Sequence, residues 1–282
     1  MNEVDFYLED LKSKFKKINP KEYYLSYSGG KDSHLLYWFI KEYLKDTEIE
    51  IVACNTKMEH VEIRERMYKY SSKVLLPIKS HKEIKEQYGI PCFSKMQDDM
   101  INHYQKGSRA KSIMQFINGT KNEGGEGTWF KLNNQAKELL LTNKLHRVSP
   151  MCCKYLKKEP FKIYEKESGR KSILGVRGGE SKLRNAQYKS CFTKDMKFTP
   201  LHDLTDDLVD KIYQQHKIEI PKVYDYVKRT GCMGCPYGSH FGDTKQELEL
   251  LNENQFKFIT EYFKESYEVL GIDTKNVQMK LF

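Results

Sequence analysis

Residues Tyr23 to Leu36 constrain the fold more than any other stretch of this chain, because they read as a buried strand, a glycine turn and the start of a helix. The apolar run Tyr23–Tyr27 leads straight into Ser28-Gly29-Gly30-Lys31-Asp32-Ser33, and His34 to Leu44 then has helical spacing. The alternation continues. Ile49–Ala53 reads as a second strand, Val61–Tyr70 as a second helix and Val74–Ile78 as a third strand. Strands and helices alternating at this pitch predict βαβ units, and hence an α/β fold with a twisted, mostly parallel sheet flanked by helices. In such a sheet ligands gather at the carboxyl ends of the strands.

The rest of the chain is read against that core. Val4, Leu8, Leu11, Phe15 and Ile18 recur at helical spacing up to Asn19-Pro20, which ends the helix. Asn133–Leu145 and Leu204–His216 read as helices, Lys171–Val176 as a strand, and Thr244–Leu270 as a helical C-terminal region. Residues 118–128, with Gly119, Gly124, Gly125 and Gly127, read as a connecting loop. These elements predict an N-terminal helix over 1–20, a main α/β domain over 21–240 and a helical extension over 241–282. There is no internal repeat.

The turn after the first strand has the chemistry of an anion cradle. Two glycines allow a tight turn and close approach of a ligand to the backbone. Ser28 and Ser33 offer hydroxyls, and the helix start offers free amides and a positive dipole end. Lys31 adds charge. Asp32 beside an anion requires another task, either holding the loop or binding Mg²⁺. The glycines sit too close together for the spacing G-x-x-x-x-G-K-[ST]. Asn55 and Thr56, with Glu59 beyond them, follow the apolar second strand and stand at the same sheet edge.

Four of the seven cysteines form two pairs: Cys152-Cys153, and Cys232-Met233-Gly234-Cys235. Such pairs suggest a four-thiolate metal site. Two adjacent cysteines bind one small ion only with strain, whereas a cubane offers each sulfur its own iron. The ligand set therefore favours a [4Fe-4S] cluster over zinc or free thiols. Cys54, Cys92 and Cys191 read as structural, with Cys191 a candidate reactive thiol. Gly175-Val176-Arg177-Gly178-Gly179-Glu180-Ser181-Lys182-Leu183-Arg184 can wrap an anion with amides and guanidinium groups.

The loop Ser28–Ser33 resembles the PP-loop of the adenine nucleotide α-hydrolase superfamily, Ser-Gly-Gly-x-Asp-Ser, which has a Rossmann-like fold. The Cys-Cys pair, a gap of about eighty residues and the Cys-x-x-Cys are similar to the pattern of iron–sulfur phosphoadenosine phosphosulfate (PAPS) reductases. Arg177, Glu180, Ser181 and Arg184 match that family's Gly-x-Arg-x-x-Glu-Ser-x-x-Arg substrate segment. The resemblance covers about residues 20 to 240. It implies nucleotide binding by Ser26, Ser28, Gly29, Gly30, Lys31, Asp32, Ser33, Asn55 and Thr56, and catalytic roles for Lys31, Asp32 and Ser33. It implies a substrate pocket at Arg177, Glu180, Ser181 and Arg184, and cluster ligation by Cys152, Cys153, Cys232 and Cys235.

The resemblance breaks at one point. Sulfonucleotide reductases use a cysteine in a C-terminal tail as nucleophile, and this chain has no cysteine after Cys235. The expectation is therefore an ATP pyrophosphatase that, with Mg²⁺, adenylylates an acceptor for sulfur transfer, as similar proteins do in nucleic-acid sulfur modification. Two other readings stand beside it: a reductase of adenylyl sulfate or PAPS using Cys191 or a partner's thiol, and a nucleotide-gated subunit without catalysis. The surplus of 48 basic over 39 acidic residues, a net charge of +9, suits a nucleotide and a nucleic-acid acceptor alike. A sulfur-donor or thiol-donor protein would be a further partner, and an oligomer is left open. No apolar run approaches the ~20 residues of a membrane span. The acidic start Met1-Asn2-Glu3-Val4-Asp5 lacks a signal-peptide core, so a cytoplasmic location is expected.

Overall fold

The computed structural model of the chain describes residues 2–121, 127, 131–180, 182–241, 243–275 and 277. The chain divides into two compact units, Met1–Pro77 with Glu159–Asp225, and Ile78–Lys158 with Tyr226–Phe282.

The first unit holds the sheet. Its strands are β1 (Tyr23–Tyr27), β2 (Glu50–Cys54), β3 (Lys73–Leu75) and β4 (Lys171–Leu174), in the order β3-β2-β1-β4 and all parallel. The expected parallel α/β sheet is thus what forms. Central β1 is buried on both faces, with Leu25 registered against Ile51 and Ile173. This explains why its sequence, Tyr-Tyr-Leu-Ser-Tyr, does not alternate apolar with polar residues. β3 stops at Leu75 instead of Ile78, since Leu76 and Ile78 face solvent. The order of strands reverses beside β1: β2 lies on one side and β4 on the other. A reversal of this kind opens a crevice at the carboxyl ends of the two strands concerned.

Three helices of this unit matter for the site: α1 (Glu3–Phe15), α2 (Lys31–Trp38) and α3 (Val61–Tyr70). A capping box between Asn2 and Asp5 starts α1. Its apolar stripe ends in Phe15, whose ring meets Phe198 and Phe39 with centroids 5.1 and 5.3 Å apart. α2 begins at Lys31, three residues before the expected His34, and runs on as a π-helical turn over Phe39–Tyr43. α3 has the predicted bounds.

The second unit is helical. Helices His81–Tyr88, Lys95–Gln105, Lys111–Asn118 and Asn134–Leu141 surround a core that includes Cys92, Ile101, Phe116, Ile117, Leu140 and Val148. The helix expected to reach Leu145 stops at Leu141, and Asn143 takes a left-handed φ of 57°. The helical tail is three helices, Asp243–Glu249, Glu253–Tyr262 and Lys264–Leu270. Asn252 and Gln255 form a capping box that restarts the chain in the middle of the expected run. The glycine-rich stretch 118–128 lies largely outside the described residues. Among the described residues no helix is long and apolar enough to cross a membrane.

Candidate nucleotide loop and thiol cluster

The loop Ser28–Ser33 joins β1 to α2 at the reversal point of the sheet. Gly29 takes a left-handed φ of 76°, and a Cβ there would lie 2.8 Å from the Ile63 carbonyl oxygen. The first turn of α3 is therefore pressed against the loop, and only glycine fits. The hydroxyls of Ser28 and Ser33 lie 2.9 Å apart, the Ser28 amide donates to Ser33 Oγ at 3.2 Å, and Ser33 Oγ donates to the Gly30 carbonyl at 3.0 Å. These bonds close the loop on itself. Gly30 is the N-cap of α2 and provides no side-chain cap, so the amide-rich helix end is left to other acceptors.

Two tyrosines latch this helix start. Tyr213 Oη donates to the Lys31 carbonyl at 2.6 Å, and the Lys31 amide donates to Tyr224 Oη at 2.9 Å. Tyr213 comes from the helix Asp206–Gln215. Tyr224 comes from a short turn, Lys222–Asp225, whose amides are held by the Glu62 carboxylate of α3 at 2.8 and 3.0 Å. Both tyrosines lie more than 180 positions from Lys31, and no local pattern announced them.

The charges at the loop are matched internally. The Arg177 Nε donates to Asp32 at 2.8 Å, and the same guanidinium pairs with Asp206. Asp32 thus holds the loop to the segment after β4. The contact is close: a Cβ on Gly175 would lie 2.9 Å from the Asp32 carbonyl carbon and the Ser33 nitrogen. The Lys31 ammonium pairs with Asp210 and lies 5.5 Å from the Tyr213 ring. Beneath the loop, His34 is 4% exposed and its Nδ1 lies 3.0 Å from Tyr27 Oη. Burial, with Arg66 and Lys69 nearby, lowers the His34 pKa to about 3, so the ring is neutral at physiological pH.

The other expected residues fall as follows. Ser26 lies in β1, registered opposite Val52 and Leu174. Asn55 and Thr56 are buried, and both shape the turn after β2. Asn55 Oδ1 accepts the Lys57 amide, Asn55 Nδ2 donates to Tyr68 Oη, and Thr56 Oγ1 donates to Glu59 at 2.7 Å. Gly178 donates its amide to the His202 carbonyl, and a Cβ there would lie 2.9 Å from that oxygen. Arg184 is half-buried on the short helix Lys182–Gln187. Ser181 and the Glu180 side chain lie outside the described residues. Arg177, expected to face an anion, faces two carboxylates.

The second unit gathers the four paired cysteines. Cys152 and Cys153 sit in one helical turn, Met151–Cys153, and share a side-chain hydrogen bond. The donated bond from Cys152, with Lys95, Lys157 and Lys158 nearby and burial opposing, lowers the Cys153 pKa to about 5. The same bond, burial and the other thiols raise that of Cys152. Burial and the neighbouring Cys232 and Cys153 raise Cys235. The Cys232–Cys235 turn is built around Gly234, whose φ is 60°. Its amide donates to Glu247 at 2.9 Å, its carbonyl accepts from Tyr267 Oη, and a Cβ would lie 2.7 Å from Ile259 Cγ2.

Among the described residues no group of three or more Cys, His, Asp or Glu side chains is drawn tightly enough to hold a single metal ion. Two observations nevertheless fit a larger sulfur-rich group. Burial raises the pKa of the Tyr262 phenol, and all four thiols add electrostatically to the shift. Its buried hydroxyl has no hydrogen-bond partner among the described residues. The donor set and the orphaned hydroxyl suit a cluster that spaces its ligands apart better than one zinc ion. The candidate reactive thiol, Cys191, is in the first unit, 3.9 Å from His202 Nδ1, and burial raises its pKa.

No protein-family model matches the chain, and no curated protein does. Solved structures give likenesses of low identity. A PAPS reductase from Candida auris aligns over 82% of this chain and 96% of its own, at 13% identity and a TM-score of 0.44. An NH3-dependent NAD synthetase from Campylobacter jejuni aligns over 96% and 95%, at 12% and 0.38. The U34-tRNA thiolase NcsA from Methanococcus maripaludis, solved with its [4Fe-4S] cluster, aligns over 96% and 82%, at 15% and 0.34. At these scores the likenesses carry no functional weight, and the reading below rests on the chain's own residues.

Proposed function

We propose that the chain binds ATP at the Ser28–Ser33 loop and cleaves it between the α- and β-phosphates to adenylylate an acceptor, which then receives sulfur. The observation that carries this reading is the loop itself: a left-handed glycine, two cross-bonded serines and a helix start whose N-cap residue, Gly30, has no side chain to cap it, at the point where the sheet order reverses. In the first step an acceptor oxygen attacks the α-phosphorus, the bond to the β-phosphate oxygen breaks, and pyrophosphate leaves. Lys31, exchanging Asp210 for phosphate, and the Mg²⁺ that arrives with ATP neutralise the leaving group. Asp32 serves as a positioning residue through Arg177. In the second step a sulfur nucleophile from a donor attacks the adenylylated centre, and AMP departs with the oxygen.

Cys152, Cys153, Cys232 and Cys235 would hold a [4Fe-4S] cluster, which when bound supplies a site for carrying sulfur. A nucleic-acid acceptor is supported by the second unit. There Tyr88 and Tyr155 stack at 4.9 Å, with Lys79 over both rings and Lys154 over Tyr155. Stacked aromatics among lysines suit bases and phosphates. Cys191 is a poor candidate for a reductase nucleophile, because its burial favours the thiol. The test is anaerobic product analysis of MgATP with the cluster-loaded protein, with and without pooled tRNA or DNA. AMP and pyrophosphate that depend on an acceptor support the reading. Intact ATP in every mixture overturns it and leaves nucleotide-gated binding or sulfonucleotide reduction.

A further inference from the structure

Glu59 is a buried carboxylate with one oxygen unaccounted for. The residue is 3% exposed. Its Oε1 receives the Thr56 hydroxyl at 2.7 Å, while its buried Oε2 accepts no hydrogen bond among the described residues. A bare carboxylate oxygen removed from water is costly, and such a group in a native fold calls for a missing partner. The position of Glu59 indicates where that partner would come from. It follows the carboxyl end of β2 and directly precedes His60, the N-cap of α3. The first turn of α3 lies against Gly29 of the loop. The orphaned acceptor therefore stands at the sheet edge that carries the phosphate cradle.

A carboxylate oxygen accepts hydrogen bonds and donates none, so the partner must be a donor. In a nucleotide whose phosphates sit on the loop, the ribose is the next group along the covalent chain and the base lies beyond it. In open α/β sheets an acidic residue following the second strand is well suited to a ribose hydroxyl. We propose that Glu59 Oε2 accepts a hydrogen bond from the ribose diol, so that the site selects ribonucleotides over nucleotides lacking those hydroxyls. The proposal rests on nucleotide binding at the loop.

The test is equilibrium titration of the full chain with MgATP and with Mg-2′,3′-dideoxy-ATP, without acceptor. Wild type should prefer ATP by about ten- to a hundred-fold, the range for one hydrogen bond to a charged group. Glu59→Gln should bind ATP more weakly, leave dideoxy-ATP nearly unchanged and so collapse the preference. Glu59→Asp, which keeps the charge and withdraws the oxygen, should do the same and serves if the amide variant does not fold. A preference that survives in the folded variants, or equal weakening of both nucleotides, overturns the ribose role. So does equal affinity of wild type for the two. Failure of wild type to bind either nucleotide defeats the underlying nucleotide reading, and the proposal with it.

Discussion

The two units solve the placing of charged and reactive groups in opposite ways. At the loop, every named charge has a counter-charge: Asp32 and Asp206 meet Arg177, and Lys31 meets Asp210. Tyr213 and Tyr224 fix the helix start from outside. At the thiol cluster, four paired cysteines act electrostatically on Tyr262, whose hydroxyl has no hydrogen-bond partner among the described residues, and a turn glycine is held by Glu247 and Tyr267. The loop is a backbone turn closed by its own hydrogen bonds and flanking ion pairs. The thiol cluster gathers its donors with Cys152 and Cys235 held as thiols by burial and Cys153 favoured as the thiolate, and binding a cationic metal group would draw the remaining protons off.

The comparison breaks most visibly at the thiols. Cys232→Ala should abolish iron retention and the broad visible absorption of anaerobically prepared protein while ATP binding persists. Equal iron content in variant and wild type would remove these cysteines from the ligand set. Next in size is Arg177→Met, which strands the Asp32 carboxylate. Arg177 and Asp32 side chains are 10% and 19% exposed, so the loss should be about 2–3 kcal/mol, at the low end for a buried pair, with nucleotide affinity falling too. Urea unfolding alongside ATP titration checks both.

The two glycine clamps offer a matched pair. Gly175→Ala and Gly234→Ala each force a Cβ into space already filled, by the Asp32–Ser33 backbone in one case and by Ile259 and Tyr267 in the other. Each should cost about 1–3 kcal/mol. The first should weaken nucleotide binding only, and the second iron retention only; titration and iron analysis of both variants separate the two.

The smallest effect is a pH slope belonging to the loop unit. His34, buried with Tyr27, Tyr37 and Tyr70 around it and Arg66 and Lys69 near, has its pKa lowered to about 3. Well above pH ~6.5 it is neutral folded and unfolded, and its contribution is complete. As pH falls below that value the unfolded chain takes up the proton first, so stability declines until the folded ring titrates near 3. Between pH 6.5 and 5 the decline is about 2 kcal/mol. Urea unfolding at both values should show a shallower slope in His34→Gln, and equal slopes would contradict the assignment.

Much of the first unit was legible because its signals are local. β1 and α3 have the predicted bounds, since an apolar run between turn residues and a helical period are read within ten residues. The start of α2 was misplaced because buried Ser33, His34, Leu35 and Leu36 run consecutively and mask the helical period. The helix His81–Tyr88 carried a readable Ser80–Glu83 capping box that hydrophobic spacing alone passes over. The polarity of residues around Asn252 likewise concealed the break in the tail. The site was half legible. The loop and the cysteine pairs are short motifs, but Tyr213, Asp206 and Asp210 reach the loop only through tertiary folding, across gaps no local pattern spans. For the same reason no local pattern pairs Arg177 with Asp32 and Asp206.

The most direct test of the central claim is calorimetric titration of MgATP into wild type and into Ser33→Ala. Ser33 Oγ closes the loop on both Ser28 and Gly30, so the variant keeps the fold and loosens the cradle. The account predicts saturable one-to-one binding to wild type and at least about tenfold weaker binding to the variant, on the scale of lost loop hydrogen bonds. Absence of saturable binding to wild type, or equal affinity in the two proteins, would contradict it.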